Sequence, residues 1–309
     1  MAKRVLVASP RSFCAGVVRA IDIVEKLLDR HGPPVYVRHE IVHNVHVVRD
    51  LEARGAVFVD SEEEVPEGAL VVLSAHGVAP QVYERCAERG LKVVDAVCPL
   101  VSKVHAEARR YAARGHKIAL VGHAGHVEVE GTMGEAPDSI VLVETPEDAE
   151  NLELEDGQRL AYLTQTTLSL DDTGDVVAAL RDRAPDLVGP PSADICYATQ
   201  NRQDAVKRIC EEATLVLVVG SRTSSNANRL VEVARSRGAE AYLIDDETDL
   251  DPGWLAGHET VGLTAGASSP ELLVERVVSR LAELGFTARE DVEIAREDVF
   301  FRLPAELRD

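Results

Sequence analysis

Five cysteines stand at positions 14, 86, 98, 196 and 210 of this 309-residue chain. Three share a setting. Cys14 lies in Ser12-Phe-Cys-Ala-Gly-Val17, between a first apolar run and a first helical pattern. Cys98 precedes Pro99 at a helix start, and Cys196, in Asp194-Ile-Cys-Tyr-Ala-Thr199, precedes the helical run through Val206 and Ile209. The positive end of a helix and its unpaired N–H groups stabilise a thiolate, the form that binds iron or zinc. Cys86 and Cys210 fall inside helical patterns and are expected to be inert core residues. There is no C-x-x-C pair, so spacing alone leaves a shared metal site open. The near-equal spacing of Cys14, Cys98 and Cys196, 84 and 98 residues, is nonetheless suggestive, because a threefold arrangement would need one cysteine per structural third. The odd count argues against a disulfide framework.

The histidines divide similarly. His43 in Glu40-Ile-Val-His-Asn44, His76 in Ala75-His-Gly77 and His126 in Gly125-His-Val-Glu128 fall at strand ends or in glycine-bearing turns. His31, His46, His105, His116 and His258 read as structural or solvated, and His39 and His123 stay undecided. In Gly122-His-Ala-Gly-His-Val-Glu128 a carboxylate stands two residues from an imidazole, a pair suited to proton delivery. Its glycines would allow close backbone approach to a ligand. Ser224-Ser-Asn226 and Ser268-Ser-Pro270 are helix-cap patterns, and helix N-termini also bind anions. No G-x-x-x-x-G-K-[ST] and no G-x-G-x-x-G follows a strand, which disfavours an ATPase or a dinucleotide site.

The elements that must position these residues alternate. Apolar, β-branched runs predict strands at Val5–Ala8, Val35–Val37, Leu70–Leu73, Val93–Val94, Ile118–Val121, Ile140–Val143, Leu160–Leu163, Leu215–Val219, Ala241–Ile244 and Val261–Leu263. Between them run stripes of period near 3.6, such as Val17, Ile21, Val24 and Leu28, or Leu100, Val104, Ala108 and Tyr111. Such alternation predicts an α/β fold with parallel sheets. Ser169, Ser269-Pro270 and Cys98-Pro99 mark helix starts, and Gly32 and Gly238 mark stops. An apolar strand repeatedly ends in a polar, glycine-bearing turn, at 73–77, 121–126, 219–226 and 263–270, where ligands collect in α/β sheets. Glu62-Glu-Glu64 reads as a solvated loop. The tail after Gly285 is expected to dock one apolar strand, over Val299–Pro304.

Hydrophobic residues make up 45% and charged residues 28% of the chain, as in globular proteins. The net charge of −20 disfavours nucleic acid and anionic membranes as partners, and requires any anionic substrate to be held by local donors. No apolar run approaches membrane-spanning length, and the N-terminus lacks a signal-peptide core. No membrane association and a cytoplasmic location are therefore expected.

Together the motifs resemble the 4-hydroxy-3-methylbut-2-enyl diphosphate reductase family. The matching segments include Phe13-Cys-Ala-Gly-Val17, Tyr36-Val-Arg-His-Glu-Ile-Val-His-Asn44, Ser74-Ala-His-Gly-Val78, Cys98-Pro-Leu-Val101 and Gly122 through Gly134. Thr164-Gln-Thr-Thr-Leu168, Asp194 through Thr199, Ser224-Ser-Asn226 and Thr264-Ala-Gly-Ala-Ser268 follow in order. Ser12 departs from the pattern where glycine is expected, and Arg222-Thr223 where Lys-Asn is common; the tail after Phe286 matches loosely. The resemblance implies three small α/β domains in a pseudo-threefold cloverleaf: 14–98, 99–193, and 194–285 with 1–13, followed by a 286–309 tail. It implies a central [4Fe-4S] cluster held by Cys14, Cys98 and Cys196, with one iron left open. It implies that His43, His76, His126, Ser224, Ser225, Asn226 and Ser268 hold a diphosphate. Glu128 would give the proton, and Thr166 would position the substrate hydroxyl. The implied reaction is reductive dehydroxylation of (E)-4-hydroxy-3-methylbut-2-enyl diphosphate, the last step of the non-mevalonate isoprenoid pathway. Two electrons would arrive singly through the cluster, and the hydroxyl would leave as water. Protonation of an allyl anion-like species would then give isopentenyl and dimethylallyl diphosphate. A ferredoxin or flavodoxin would supply the electrons. As such donors are acidic, a basic patch near the cluster is expected.

Two other readings fit the residues less fully. One is a zinc-dependent hydrolase with Cys and His ligands. The other is a non-catalytic protein that binds a phosphorylated ligand, against which Glu128 argues.

Overall fold

The structure, a computed structural model, describes residues 3–308. Its first half runs β1 (Arg4–Ser9), α1 (Ala15–His31), β2 (Val35–Arg38), α2 (Val45–Ala53), β3 (Ala56–Val59), β4 (Leu70–Leu73), α3 (Pro80–Glu88), β5 (Lys92–Asp95) and α4 (Pro99–Ala113). There follow β6 (Lys117–Val121), α5 (Val127–Met133), β7 (Ile140–Val143), α6 (Pro146–Glu150), β8 (Leu160–Thr164) and α7 (Leu170–Arg183). The chain continues with α8 (Tyr197–Ile209), β9 (Leu215–Val219), α9 (Ser225–Ser236), β10 (Glu240–Ile244), β11 (Thr260–Ala265), α10 (Glu271–Glu283) and β12 (Ala288–Glu293). All ten expected strands form, within two residues at either end.

The described residues divide into two compact units. One comprises the residues up to Val17, His43–Arg49 and Tyr197–Phe300, and holds a five-stranded sheet ordered β10-β9-β11-β1-β12. The other comprises Val18–Val42, Asp50–Cys196 and the residues from Phe301 onward. It holds two sheets, β3-β2-β4-β5 and β7-β6-β8. Every strand pairing in the three sheets is parallel.

The same three-strand core recurs in each sheet. A first strand lies in the middle, the second pairs on one side, and the third returns to the other. The cores are β3-β2-β4, β7-β6-β8 and β10-β9-β11. The carboxyl ends of the first and third strands flank the point where strand order reverses, the usual place for a ligand in such sheets. This explains the turns singled out above, which follow β4, β6, β9 and β11. Packing supports the cores from both faces. Leu217 and Leu263 meet Leu273, Val277 and Leu281 of α10, while Val216 and Val218 meet Leu230 and Val231 of α9. Around β6, Val121 packs with Val176 and Leu180 of α7, and Leu120 with Val104 and Tyr111 of α4. Burial on both faces is why these strands read as continuous apolar runs.

Three expectations are corrected. The tail's strand is β12, not Val299–Pro304: β12 pairs with β1 over six positions, while Phe300 is 77% exposed. A charged strand forms there because it is an edge, where its side chains stay in water. Glu62 is not solvated but fully buried, and both Arg38 and Arg85 hydrogen-bond its carboxylate. Ser269 does not cap α10; its hydroxyl donates to Val219 O at 2.8 Å.

Candidate active site

The three cysteines with a helix-start setting occupy equivalent places. Each follows the segment that flanks the third strand of a core. Cys14 follows β1, the neighbour of β11, and Cys98 follows β5, the neighbour of β4. Cys196 follows a coil that touches β8 through a parallel bridge, Ala161 to Val188. Each cysteine N–H donates to the carbonyl two residues beyond that third strand: Cys14 to Ala267 (3.1 Å), Cys98 to Ala75 (2.9 Å) and Cys196 to Thr166 (3.1 Å). A helix begins at the next residue each time, as α1, α4 and α8. All three are partly exposed and in no disulfide. Cys86 is buried in α3 as expected, and burial pushes its thiol up; Cys210 is partly exposed just past α8, with its thiol pushed up to about 11 by desolvation. Neither is a ready thiolate.

In the unit that holds β6 and β8, polar groups gather at the carboxyl ends of those strands. Glu128, in the first turn of α5, is 3% exposed. One of its oxygens accepts the Thr166 N–H at 2.7 Å and the other the Thr166 hydroxyl at 3.0 Å. His126 caps α5, its Nδ1 accepting the Glu128 N–H at 3.1 Å. A neutral imidazole that accepts at Nδ1 carries its hydrogen on Nε2, so the other ring nitrogen of His126 is a donor. The His76 ring lies 6.2 Å from that of His126, edge to face. Ser74 Oγ is 3.4 Å from His76 Nδ1.

Glycines set this assembly. Gly125 has φ +76°, and a Cβ on Gly122 would lie 2.7 Å from Val129. On α5, a Cβ on Gly131 would press the Gly77–Val78 backbone at 3.3 Å, and one on Gly134 would collide with Ala79. Their bare backbones let the helix carrying Glu128 close on the loop carrying His76.

In the unit that holds β9 and β11, Ser224 caps α9 and accepts the Ala227 N–H at 3.3 Å, with Ser225 the first residue of the helix. Asn226 Oδ1 accepts the Ala267 N–H at 2.9 Å, next to the carbonyl that holds Cys14. The Ser268 hydroxyl donates to His43 O at 2.9 Å, and Val45 N–H to Ser221 Oγ at 3.0 Å. Ser12, where the family pattern has glycine, takes φ +59°, a region that favours glycine, and its hydroxyl donates to Glu271 at 2.6 Å.

Sequence reasoning missed Gln165. It is 1% exposed, accepts the His123 N–H at 3.2 Å and donates to Thr167 Oγ1 at 3.0 Å, bracing the two turns. Its place between Thr164 and Thr166 was the available signal. Among the described residues no three His, Cys, Asp or Glu groups gather closely enough for a single metal ion. Among them, too, no helix is long and apolar enough to cross a membrane.

Residues 5–282 match the family described as LytB protein. The "4-hydroxy-3-methylbut-2-enyl diphosphate reductase" of Acidothermus cellulolyticus is 60% identical over 307 residues, 99% of this chain and 90% of that one. The protein of the same name from Mycolicibacterium paratuberculosis is 58% identical over 99% of this chain and 92% of its own. Among solved structures, the E-1-hydroxy-2-methyl-but-2-enyl-4-diphosphate reductase of Plasmodium falciparum superposes with a TM-score of 0.97 at 40% identity, covering 99% of this chain and 97% of that one. A second, titled as the terminal enzyme of the non-mevalonate pathway, gives a TM-score of 0.64 at 32% identity, over 91% of this chain and 99% of that one. The chain therefore belongs to the LytB protein family, whose relatives here bear the name of a reductase.

Proposed function

We propose that this chain reductively removes the allylic hydroxyl of (E)-4-hydroxy-3-methylbut-2-enyl diphosphate. Two electrons and two protons enter, water leaves, and isopentenyl and dimethylallyl diphosphate form. The observation that carries the proposal is the threefold recurrence of a cysteine at a helix start, tied by its N–H to the carbonyl two residues past a core strand. Three partly exposed sulfurs outside any disulfide are a donor set that suits a [4Fe-4S] cluster, with Cys14, Cys98 and Cys196 as ligands. When bound, such a cluster would supply single electrons and, at its open iron, a Lewis acid. On this reading Cys14 and Cys98 stand at the two ends of the 14–98 domain and Cys196 stands near the start of the 194–285 domain.

The chain's own residues would do the rest. His43, His76, His126, Ser224, Ser225, Asn226 and Ser268 hold the diphosphate, supplying local donors against the overall charge of −20. Nε2–H of His126 suits a phosphate oxygen. Glu128 delivers the proton that turns the hydroxyl into water. Thr166, bound to Glu128 through both its N–H and its hydroxyl, fixes the carboxyl and can turn that hydroxyl to the substrate. An acidic carrier, ferredoxin or flavodoxin, brings electrons, and the reaction runs in the cytoplasm.

Iron and sulfide quantification of anaerobically purified protein tests the reading. About four of each per chain and a visible absorption band are expected, both lost in Cys98→Ser. A colourless wild-type protein that stays free of iron after anaerobic reconstitution would sink it.

A further inference from the structure

The three helices headed by Cys14, Cys98 and Cys196 share one more feature. Each carries a cation five or six residues after its cysteine: Arg19 on α1, Lys103 on α4 and Arg202 on α8. Arg202 also donates to Ala198 O of its own helix at 2.9 Å, but each of the three cations reaches the backbone before another cysteine. Arg19 donates to Val97 O at 3.0 Å and Asp95 O at 3.4 Å, the backbone just before Cys98. Lys103 donates to Ser192 O at 2.7 Å, Ala193 O at 3.1 Å and the Asp194 carboxylate at 3.1 Å, the backbone just before Cys196. Arg202 donates to Ser12 O at 2.7 Å and Arg11 O at 3.4 Å, the backbone just before Cys14. In chain order the set is cyclic: the helix of one cysteine grips the approach to the next, from 14 to 98, 98 to 196 and 196 to 14.

We propose that Arg19, Lys103 and Arg202 are positioning residues for the cluster ligands, each fixing the cysteine that follows the segment it grips. The inference rests on the cluster reading above. Charge-assisted hydrogen bonds to carbonyls are stronger than neutral ones, and Lys103 spends all three of its N–H donors on this one loop. Residues that orient ligands without touching the metal typically alter its retention about 10- to 100-fold.

The test uses the full chain, first without cluster. Alkylation rates of Cys14, Cys98 and Cys196 by iodoacetamide are read by mass spectrometry in Arg19→Met, Lys103→Met and Arg202→Met. The expected pattern is displaced by one cysteine: Arg19→Met accelerates Cys98, Lys103→Met accelerates Cys196 and Arg202→Met accelerates Cys14, each about tenfold over the other two. Arg19→Lys and Lys103→Arg restore the wild-type rates. In reconstituted protein the same Met variants lose iron to a chelator about tenfold faster, with an altered electron paramagnetic resonance signal of the reduced cluster. Arg202 is fully buried, so if Arg202→Met does not fold the other two carry the test. Acceleration at the cysteine on the same helix, at all three equally, or at none would overturn the proposal. The alkylation readout does not need the cluster, so a protein that never binds iron refutes the functional reading separately.

Discussion

Both Glu128 oxygens are engaged by Thr166, which makes the pair a direct target. Glu128→Gln keeps an acceptor for the Thr166 N–H, replaces the acceptor of the Thr166 hydroxyl by an NH2 that can donate to it, and removes the transferable proton. Turnover with a chemical reductant should fall by about 10² or more with KM little changed and cluster absorption intact. A variant that turns over normally would remove Glu128 from the chemistry. Glu62 gives a pH prediction. Burial alone would raise its carboxyl, but its own backbone N–H and the hydrogen bonds from Arg85 and Arg38 outweigh burial and hold it below the usual range. A folded-state value below the unfolded one means stability that is full above about pH 4.3 and lost as pH falls through the folded value. Glu62→Gln should therefore be less stable at neutral pH and show a shallower acid decline in urea midpoints between about pH 4.5 and 3. The residue types and motifs singled out the three helix-start cysteines, the histidines and Glu128 as candidates. They did not announce Glu62 or Gln165, because whether a polar side chain is buried depends on partners far along the chain.

Elements aim these residues, and two of them do so through backbone approach or buried charge. Gly134→Ala puts a Cβ into Ala79. The overpacking, about 1–3 kcal/mol, exceeds the gain in helix propensity of about 1 kcal/mol. The helix carrying His126 and Glu128 must shift, so a lower urea midpoint and a higher KM are expected together. Gly174→Ala, in α7 with open space around it, is the control and should stabilise slightly. In the other unit the fully buried Arg202 is paired with Glu297 at 2.9 Å. Glu297→Ala would strand that charge, costing about 2–4 kcal/mol in chemical denaturation. The tail after Gly285 thus contributes a partly buried counter-ion to a fully buried cation, which no apolar pattern could reveal. β1, β4, β6, β8, β9 and β11 were legible because they are buried on both faces, and β2, β5, β7 and β10 from their short apolar, β-branched runs. β3, an edge strand as long as β2 or β4, was passed over, and β12 was missed because an edge strand can be largely charged and still pair.

At the scale of the molecule, charge and topology set the terms. A net charge of −20 repels an acidic electron carrier at long range. With a basic patch at the docking point, carrier-dependent turnover should slow as salt rises from about 20 to 200 mM, while turnover with a small neutral reductant stays flat. A rise with salt would mean that repulsion dominates and no such patch exists. The alternation of strands and helices, and the polar turns, already made the repeat legible in type. That the turns sit at reversals of strand order, three times over, emerged only from the pairing.

Parallel strands give every sheet two unlike rims. The cysteines, imidazoles and hydroxyls all lie on loops beyond carboxyl ends, so the opposite rim is free to vary. The turn Glu155-Asp156-Gly157 enters β8 on that side; Glu155 and Asp156 are exposed, and Gly157 at φ +76° has empty space around it. A fluorescent tag or a short epitope spliced there should leave iron content and turnover as they are. The enzyme would then carry its own handle for immobilisation or imaging.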